Sequence, residues 1–531
     1  MTDDRTVRPL PPFGPAAVVF LLGMAACLSF GFNLRLALHA DDSANLESTL
    51  ALVAARQLES GFDGLYGPYG GSNPHLLIQA PLYYRLTALV AQPLVRLAGL
   101  DPVTACLAAG RALSLACFLA ILALSARLAS GGAGSSRRAG VLAALLVAAS
   151  PLLASFPVTV RADLMGATLQ LAGLAAVARV LARPDDHPHA WCAGAFLAFA
   201  AAVATKQHLL AGPAAATLLL TREVVLRRIA FSTLAWGLAA GLVAGLAYAG
   251  VEQWQTAGQF WRSCVEIPTR LRQVTAGSAE SVTLTLVTTL KRALPLIALA
   301  AAGFGLTLGR RNRTAAPTLA ALLGLHVALE SLILLKLTLD SSGAWFNYAI
   351  PGSISACVLI ALGLDSALAI RPRLLPALPL VAASILLLLA DVRLVQFGAR
   401  LDRTTRDAWH DLEAETVFQS VAPQHRYFSG AIQHYNRMAG QPRLAHDEWL
   451  YHAFEAVGAA EPRAAWLARE LSSGSTDLVI VAAEPGRPVP THVPGVPDGL
   501  PELGFTSAGR TSHFGLWLRR PRVAPTLARY R

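Results

Sequence analysis

The feature that most constrains this chain is a succession of apolar runs, each close to the roughly 20 residues a helix needs to cross the hydrocarbon core of a bilayer. They lie at 13–36, 105–129, 139–157, 163–182, 190–205, 207–221, 229–250, 285–308, 315–338, 347–369 and 374–394. Length alone would allow about three soluble domains. The apolar runs overrule that reading, and so does the charge content: 15% of the 531 residues are Asp, Glu, Lys or Arg, against about 25% in soluble globular chains. From residue 397 onward the pattern stops and the sequence reads as an ordinary soluble domain. The expectation is a polytopic α-helical membrane protein with about 11 spans, a membrane domain over 1–396, and a small α/β domain over 397–531.

The net charge of +11 would suggest nucleic acid in a soluble protein, but here the basic residues cluster between spans and basic stretches interleaved with aromatics are absent. Arg137 with Arg138, Arg222 with Arg227 and Arg228, Arg310 with Arg311 and Arg313, and Arg371 with Arg373 all fall on one side of the apolar runs. By the positive-inside rule that side is cytoplasmic. Asp41, Asp42, Asp163, Lys206, the 251–284 stretch and Asp340 then face out. This assignment requires Pro81 to Leu97 to lie at the interface, which its Tyr83, Tyr84, Arg85, Gln92 and Arg96 favour over a span. The first run lacks a small-residue cleavage site, so it is expected to be a retained span rather than a signal peptide. The expected location is the cell inner (plasma) membrane, multi-pass, with the N-terminus cytoplasmic and the C-terminal domain extracytoplasmic. Two outward loops stand out, 37–104 and 251–284. Of the six cysteines, five lie within apolar runs and Cys264 in the second of those loops, with no metal-ligand spacing and no disulfide expected. No internal repeat is present, and Gly131–Gly134 is a turn rather than a phosphate loop, since no strand precedes it.

Polar groups beside a membrane interior are costly and usually have a function. The first outward loop carries His39, Asp41, Asp42 and Glu47, with a helix expected from about residue 46. Adjacent acids here are either capping groups or candidates for acid–base work. Asp163 opens the span at 163–182 beside Arg161, and Lys206 sits in a very short turn with Gln207 and His208. Lys206, Arg85 and Arg161 could together place positive charge where a lipid phosphate would lie and stabilise a phosphate leaving group. The 251–284 loop holds Trp254, Phe260, Trp261, Arg262, Arg270 and Arg272, a composition that fits either an interfacial belt or a cover over a lipid groove. Another aromatic turn spans Trp345 to Tyr348.

In this order and on this side of the membrane, the motifs resemble the GT-C class of membrane glycosyltransferases, in the branch of protein O-mannosyltransferases and the lipid A aminoarabinose transferase. Asp41, Asp42 and Glu47 match that branch's acidic motif after the first span. Gln79 to Tyr84 stands where the branch has Lys-Pro-Pro-Leu-Tyr-Tyr. Ala109 to Ser114, Asp163, Thr205 with Lys206, and Asn347 with Tyr348 follow in order. The resemblance implies a GT-C-like fold and an inverting hexosyl- or pentosyltransferase that uses a polyprenyl-phosphate-linked sugar. Asp41 would be the general base and Asp163 would orient the acceptor or the base. Lys206 and Arg161 would stabilise the phosphate, and Asp42, Glu47, Tyr83, Tyr84, Arg85, Asn347 and Tyr348 would line the substrates. The partners implied are membrane lipid, the lipid-linked donor, and a glycan, lipid or protein acceptor. No cofactor is implied beyond that donor, and no metal site is assigned, although His39, Asp41 and Asp42 offer donors to a divalent ion. The sequence departs from the branch at Gln79 and Ala80, where a lysine and a proline are expected. Either Arg85 supplies that charge or the phosphate is recognised differently.

In the C-terminal region Tyr427–Gly430, Leu478–Val481 and Phe514–Leu518 read as strands and 462–472 as a helix. Its histidines, His434, His446 and His452, are irregularly spaced and read as surface residues. Two other functions compete with the transferase. One is a transporter or flippase of lipid-linked sugars, for which Glu330 and Lys336 are the candidate intramembrane groups. The other is a non-catalytic binder of such lipids.

Overall fold

The computed structural model describes residues 23–28, 47–66, 79–131, 137–150, 159–274, 279–308, 315–340, 346–370, 427–430, 460–473, 476–483, 488–493, 496–511 and 514–520, with a few isolated positions between. Asp41, Asp42, His39, Trp345, the expected span at 374–394, most of the one at 13–36, and His434, His446 and His452 lie outside the described residues.

The chain is a helical bundle followed by a small sheet. In order come α1 (Glu47–Ser60), a 3₁₀ turn (Phe62–Leu65), α2 (Leu82–Ala98), α3 (Pro102–Gly131), α4 (Arg137–Ala148), α5 (Ala162–Ala182), α6 (Pro188–Thr205), α7 (Ala211–Val225) and α8 (Phe231–Gln255). After a short turn and a π-helical segment (Arg262–Glu266) follow α9 (Ile267–Val274), α10 (Ala279–Leu308), α11 (Ala315–Asp340), a second 3₁₀ turn (Phe346–Ala349) and α12 (Ile350–Ile370). Among the described residues six helices are long and apolar enough to cross a membrane: α3, α5, α6, α8, the stretch Pro317–Leu339 of α11, and Asn347–Ser366, which runs from the second 3₁₀ turn into α12. Within the apolar run at 139–157, α4 covers the stretch up to Ala148, and most of 151–157 lies outside the described residues. α2 presents two faces. It buries Tyr83, Tyr84, Arg85, Thr87, Ala88 and Ala91 against the bundle and leaves Leu89, Val90 and Leu97 exposed. It ends at Gly99, whose φ of 64° only glycine adopts without strain and whose N–H bonds back to Leu94.

Small residues set the packing, as expected where lipid supplies no hydrophobic drive between helices. α5 packs on α6, α6 on α8 and α10 on α12. A Cβ at Gly173 would lie 2.4 Å from the Phe199 ring, and one at Gly363 only 2.3 Å from the Gly303 Cα, so α12 and α10 touch backbone to backbone.

The sheet has strand order β1 (Tyr427–Gly430), β2 (Leu478–Ala482), β4 (Phe514–Arg519), β3 (Phe505–Arg510). β1 and β2 are parallel, with helix α13 (Ala460–Ser472) lying between them in the chain, and both other pairs are antiparallel. Phe428, Leu467, Leu471, Val479, Val481, Phe505 and Trp517 form its core.

Candidate functional site

One end of the bundle gathers the polar residues that the sequence singled out. α5 begins at Ala162, so Asp163 lies in its first turn, where the unpaired backbone N–H groups and the helix dipole favour a carboxylate. Arg161 is the extended residue before it. α6 ends at Thr205, and Lys206 leaves the helix in an extended conformation. The 3₁₀ turn before α12 delivers Asn347 and Tyr348 to the same point.

The three polar side chains meet on one oxygen. Asp163 Oδ1 accepts from Lys206 Nζ at 2.5 Å and from Asn347 Nδ2 at 2.9 Å. Asp163 is 7% exposed, Lys206 2% and Asn347 8%, so this is a buried ion pair whose charges are compensated by each other and by the amide. The Lys206 ammonium also stands 4.6 Å from the centre of the Tyr348 ring, and the His208 ring lies 4.5 Å from it. The first contact holds the lysine by geometry as well as by charge, and the second packs His208 against the same ring. Asn347 Oδ1 is buried and accepts no hydrogen bond among the described residues.

The α2 residues divide. Tyr84 faces this end: its hydroxyl donates to Gln79 Oε1 at 3.2 Å. Burial raises its phenol above the ordinary range, the Asp163 carboxylate raises it further, and the Arg161 cation pulls the other way, so all three groups share one electrostatic neighbourhood. Tyr83 is turned into the bundle. Its hydroxyl reaches the Gly110 carbonyl at 3.2 Å and Ser114 Oγ at 3.5 Å, making it a spacer between α2 and α3. Arg161 is partly buried, with its guanidinium 5.6 Å from the Phe156 ring centre.

Arg85, a candidate to replace the missing lysine at position 79, belongs to a second cluster. Its Nε and Nη2 donate to Glu252 Oε1 and Oε2 at 3.1 and 2.7 Å. Its Nη1 donates to Gln57 Oε1 at 3.1 Å and to the Phe62 carbonyl at 2.5 Å, and the guanidinium stacks 3.3 Å over the Phe62 ring. A two-pronged carboxylate contact of this kind fixes Arg85 as the link between α2, α1 and the end of α8. Glu47 is the first residue of α1, and its side chain, like Asp41 and Asp42, lies outside what is described.

Sequence reasoning missed Glu252, Gln57, Gln170 and His326. Glu252 lies just beyond the apolar run at 229–250, and the signal that would have found it is the need of an arginine on a buried helix face for an acid. Gln170 and His326 lie inside apolar runs: Gln170 is fully buried, with neither amide atom bonded among the described residues, and His326 Nδ1 is 2.8 Å from Ser355 Oγ.

At the opposite end of the bundle lie the arginine clusters. Arg138 approaches Asp365 at 3.7 Å, and Arg222 and Arg228 reach the buried Glu223 at 2.8 and 3.2 Å.

No protein-family profile matches the sequence, and no curated protein matches it. Solved structures do match the fold. ArnT from Cupriavidus metallidurans bound to undecaprenyl phosphate aligns at a TM-score of 0.60 and 15% identity, over 96% of this chain and 98% of that one. The same protein in the apo state aligns at 0.59 and 15% identity, over 92% and 97%. Over nearly its whole length, the chain shares the fold of these ArnT structures.

Proposed function

We propose that the protein transfers a sugar from a polyprenyl-phosphate-linked donor to an acceptor hydroxyl at the Asp163 end of the bundle, which faces out of the cell. The observation that carries this reading is the buried convergence of Asp163, Lys206 and Asn347, beside Tyr348, on the end of the bundle away from the arginine clusters. It supports phosphate chemistry because an ammonium has three N–H donors and Lys206 gives one to Asp163. The ArnT structure that shares this fold holds undecaprenyl phosphate, a ligand of the class proposed here.

In the reaction the acceptor oxygen attacks the anomeric carbon from the face opposite the phosphate. The carbon–oxygen bond to phosphate breaks with inversion, its electron pair staying on the leaving phosphate. The acceptor proton passes to Asp41, the proposed base. Lys206, with Arg161, stabilises the charge that gathers on the leaving oxygen, where preorganised donors act most strongly. Asp163 keeps Lys206 in place and Asn347 Oδ1 offers a hydrogen-bond acceptor to a sugar hydroxyl. Gln79 is a neutral amide and adds no positive charge; its side chain accepts from Tyr84. Phosphate recognition therefore rests on Lys206 and Arg161.

Asp41→Asn, assayed for sugar transfer in reconstituted membranes, should lose about 10²–10⁴-fold in turnover while the protein still binds undecaprenyl phosphate. Unchanged transfer would end the role of Asp41.

A carrier of lipid-linked sugars is the second reading, favoured by polar groups within the bundle. Glu330 and His326 are both buried, 3.5 Å apart, and Glu330 lines a cavity of about 30 Å³ with Ser331 and Ser353. A carrier should be sensitive to Glu330→Gln and indifferent to Asp41→Asn, the reverse of the transferase.

A further inference from the structure

Three consecutive polar residues leave α6, and they grip in three directions. Lys206 turns to Asp163, and His208 packs against the Tyr348 ring. Gln207 turns toward two chain segments far away in sequence. Its Oε1 accepts the backbone N–H of Ala80 at 3.1 Å, and its Nε2 donates to the Cys264 carbonyl at 3.4 Å. A third contact closes the knot: Cys264 Sγ approaches the Gln79 carbonyl at 3.6 Å. The turn has only residues 206–210 between α6 and α7, held internally by Leu209 N–H to Lys206 O and Leu210 N–H to His208 O. So short a turn takes its orientation from what its side chains hold. Gln207 is therefore placed to lock the backbone of Lys206 against the entry of α2 and against the π-helical segment.

We infer that Gln207 is a positioning residue for phosphate binding: it fixes Lys206 and ties the 259–274 segment to it. The inference rests on the phosphate role proposed for Lys206. An amide suits the task because one end accepts and the other donates, matching an N–H on one side and a carbonyl on the other. A glutamate keeps the acceptor for Ala80 but meets the Cys264 carbonyl with a second acceptor. A leucine loses both contacts.

The test uses the full chain in nanodiscs titrated with undecaprenyl phosphate, with binding followed by the ³¹P resonance of the bound phosphate. Lys206→Met, Gln207→Leu, the double variant and Gln207→Glu are compared with the unaltered protein, and thermal unfolding is recorded for each. Gln207→Leu should weaken binding about tenfold, the size expected from losing one to two buried hydrogen bonds. Gln207→Glu should fall between it and the unaltered chain. The double variant should bind no more weakly than Lys206→Met, because a residue that acts through Lys206 has nothing to position once the ammonium is gone. Losses that multiply in the double variant would overturn the inference, as would unaltered affinity in Gln207→Leu alongside a large loss in Lys206→Met. Should Gln207→Leu fail to fold, Gln207→Glu with unaltered affinity has the same meaning. If Lys206→Met binds as tightly as the unaltered protein, the phosphate role of Lys206 falls and the inference falls with it.

Discussion

A buried charge is stable only in company, and the Asp163–Lys206 pair shows what that demands of single residues. With 7% and 2% exposure, neither side chain can be rescued by water when its partner is removed. Lys206→Met should therefore destabilise the folded protein by about 3–5 kcal/mol, the range for leaving one buried charge uncompensated. Lys206→Met combined with Asp163→Asn should recover much of that loss. Unfolding in detergent with increasing denaturant would measure Lys206→Met, Asp163→Asn and the double variant, and losses that simply add would show that the two charges do not depend on each other. Tyr84 adds a pH prediction. Its phenol is held above the ordinary tyrosine range by burial and by Asp163, so folding favours the neutral form. The stabilisation this provides is complete below the ordinary tyrosine value of about 10 and is lost as pH rises past it, because the unfolded chain ionises first. A stability–pH profile of Tyr84→Phe should show a shallower alkaline decline than the unaltered protein, and parallel declines would refute the assignment. These candidates were legible from the sequence because Asp163, Lys206 and Asn347 interrupt apolar runs. Their meeting on a single oxygen was not, since it depends on where three separate helix ends arrive.

Between elements the decisive contact is Arg85–Glu252, which joins α2 to the end of α8. The segment that follows α8 runs through the π-helical stretch carrying Cys264, and the same ion pair sits near that thiol. Burial first, and the Glu252 charge second, push the Cys264 thiol up to about 12. A thiol in that state reacts slowly, since the thiolate is the nucleophile. Glu252→Ala should both unlatch the segment and remove the opposing charge, raising the maleimide reaction rate of Cys264 at pH 8 by about tenfold or more, as the thiolate fraction and access both rise. Mass-resolved labelling, with exposed Cys27 replaced by serine, would read it. An unaltered rate would mean that the segment is held by something other than this pair. Elements were unevenly legible for physical reasons. The helix within 81–97 showed as an amphipathic stretch, and β2 and β4 showed in their β-branched and aromatic runs. β3 (Phe505–Arg510) did not, because Gly509 and a register shift between Ser507 and Gly509 break the alternation that marks a strand.

At the scale of the whole molecule, 15% identity with ArnT over 96% of the chain at a TM-score of 0.60 means that the fold is shared while most side chains differ. What persists is the pattern a bilayer enforces: apolar lengths near 20 residues, with charges sorted to opposite ends. That pattern made the polytopic helical architecture readable, while the more specific fold was implied only by the order of the motifs. The site was less readable because it depends on side chains rather than on pattern, and Gln79 is where the difference shows. The same sorting makes the orientation testable. The arginine-rich end carries Arg138, Arg222 and Arg228, and the Asp163 end carries Lys206 and the 259–274 segment. Lys and Arg near span ends are retained in the cytoplasm, so these two ends should lie on opposite sides of the membrane. Asp185, exposed in the turn between α5 and α6, and Trp261, 53% exposed, offer one reporter position for each end. With Cys27 replaced by serine, Trp261→Cys should react with a membrane-impermeant maleimide in intact cells, and Asp185→Cys only after the membrane is permeabilised. Labelling in the reverse order would put the Asp163–Lys206 pair on the cytoplasmic side, and the proposed transfer to an external acceptor could not then occur there.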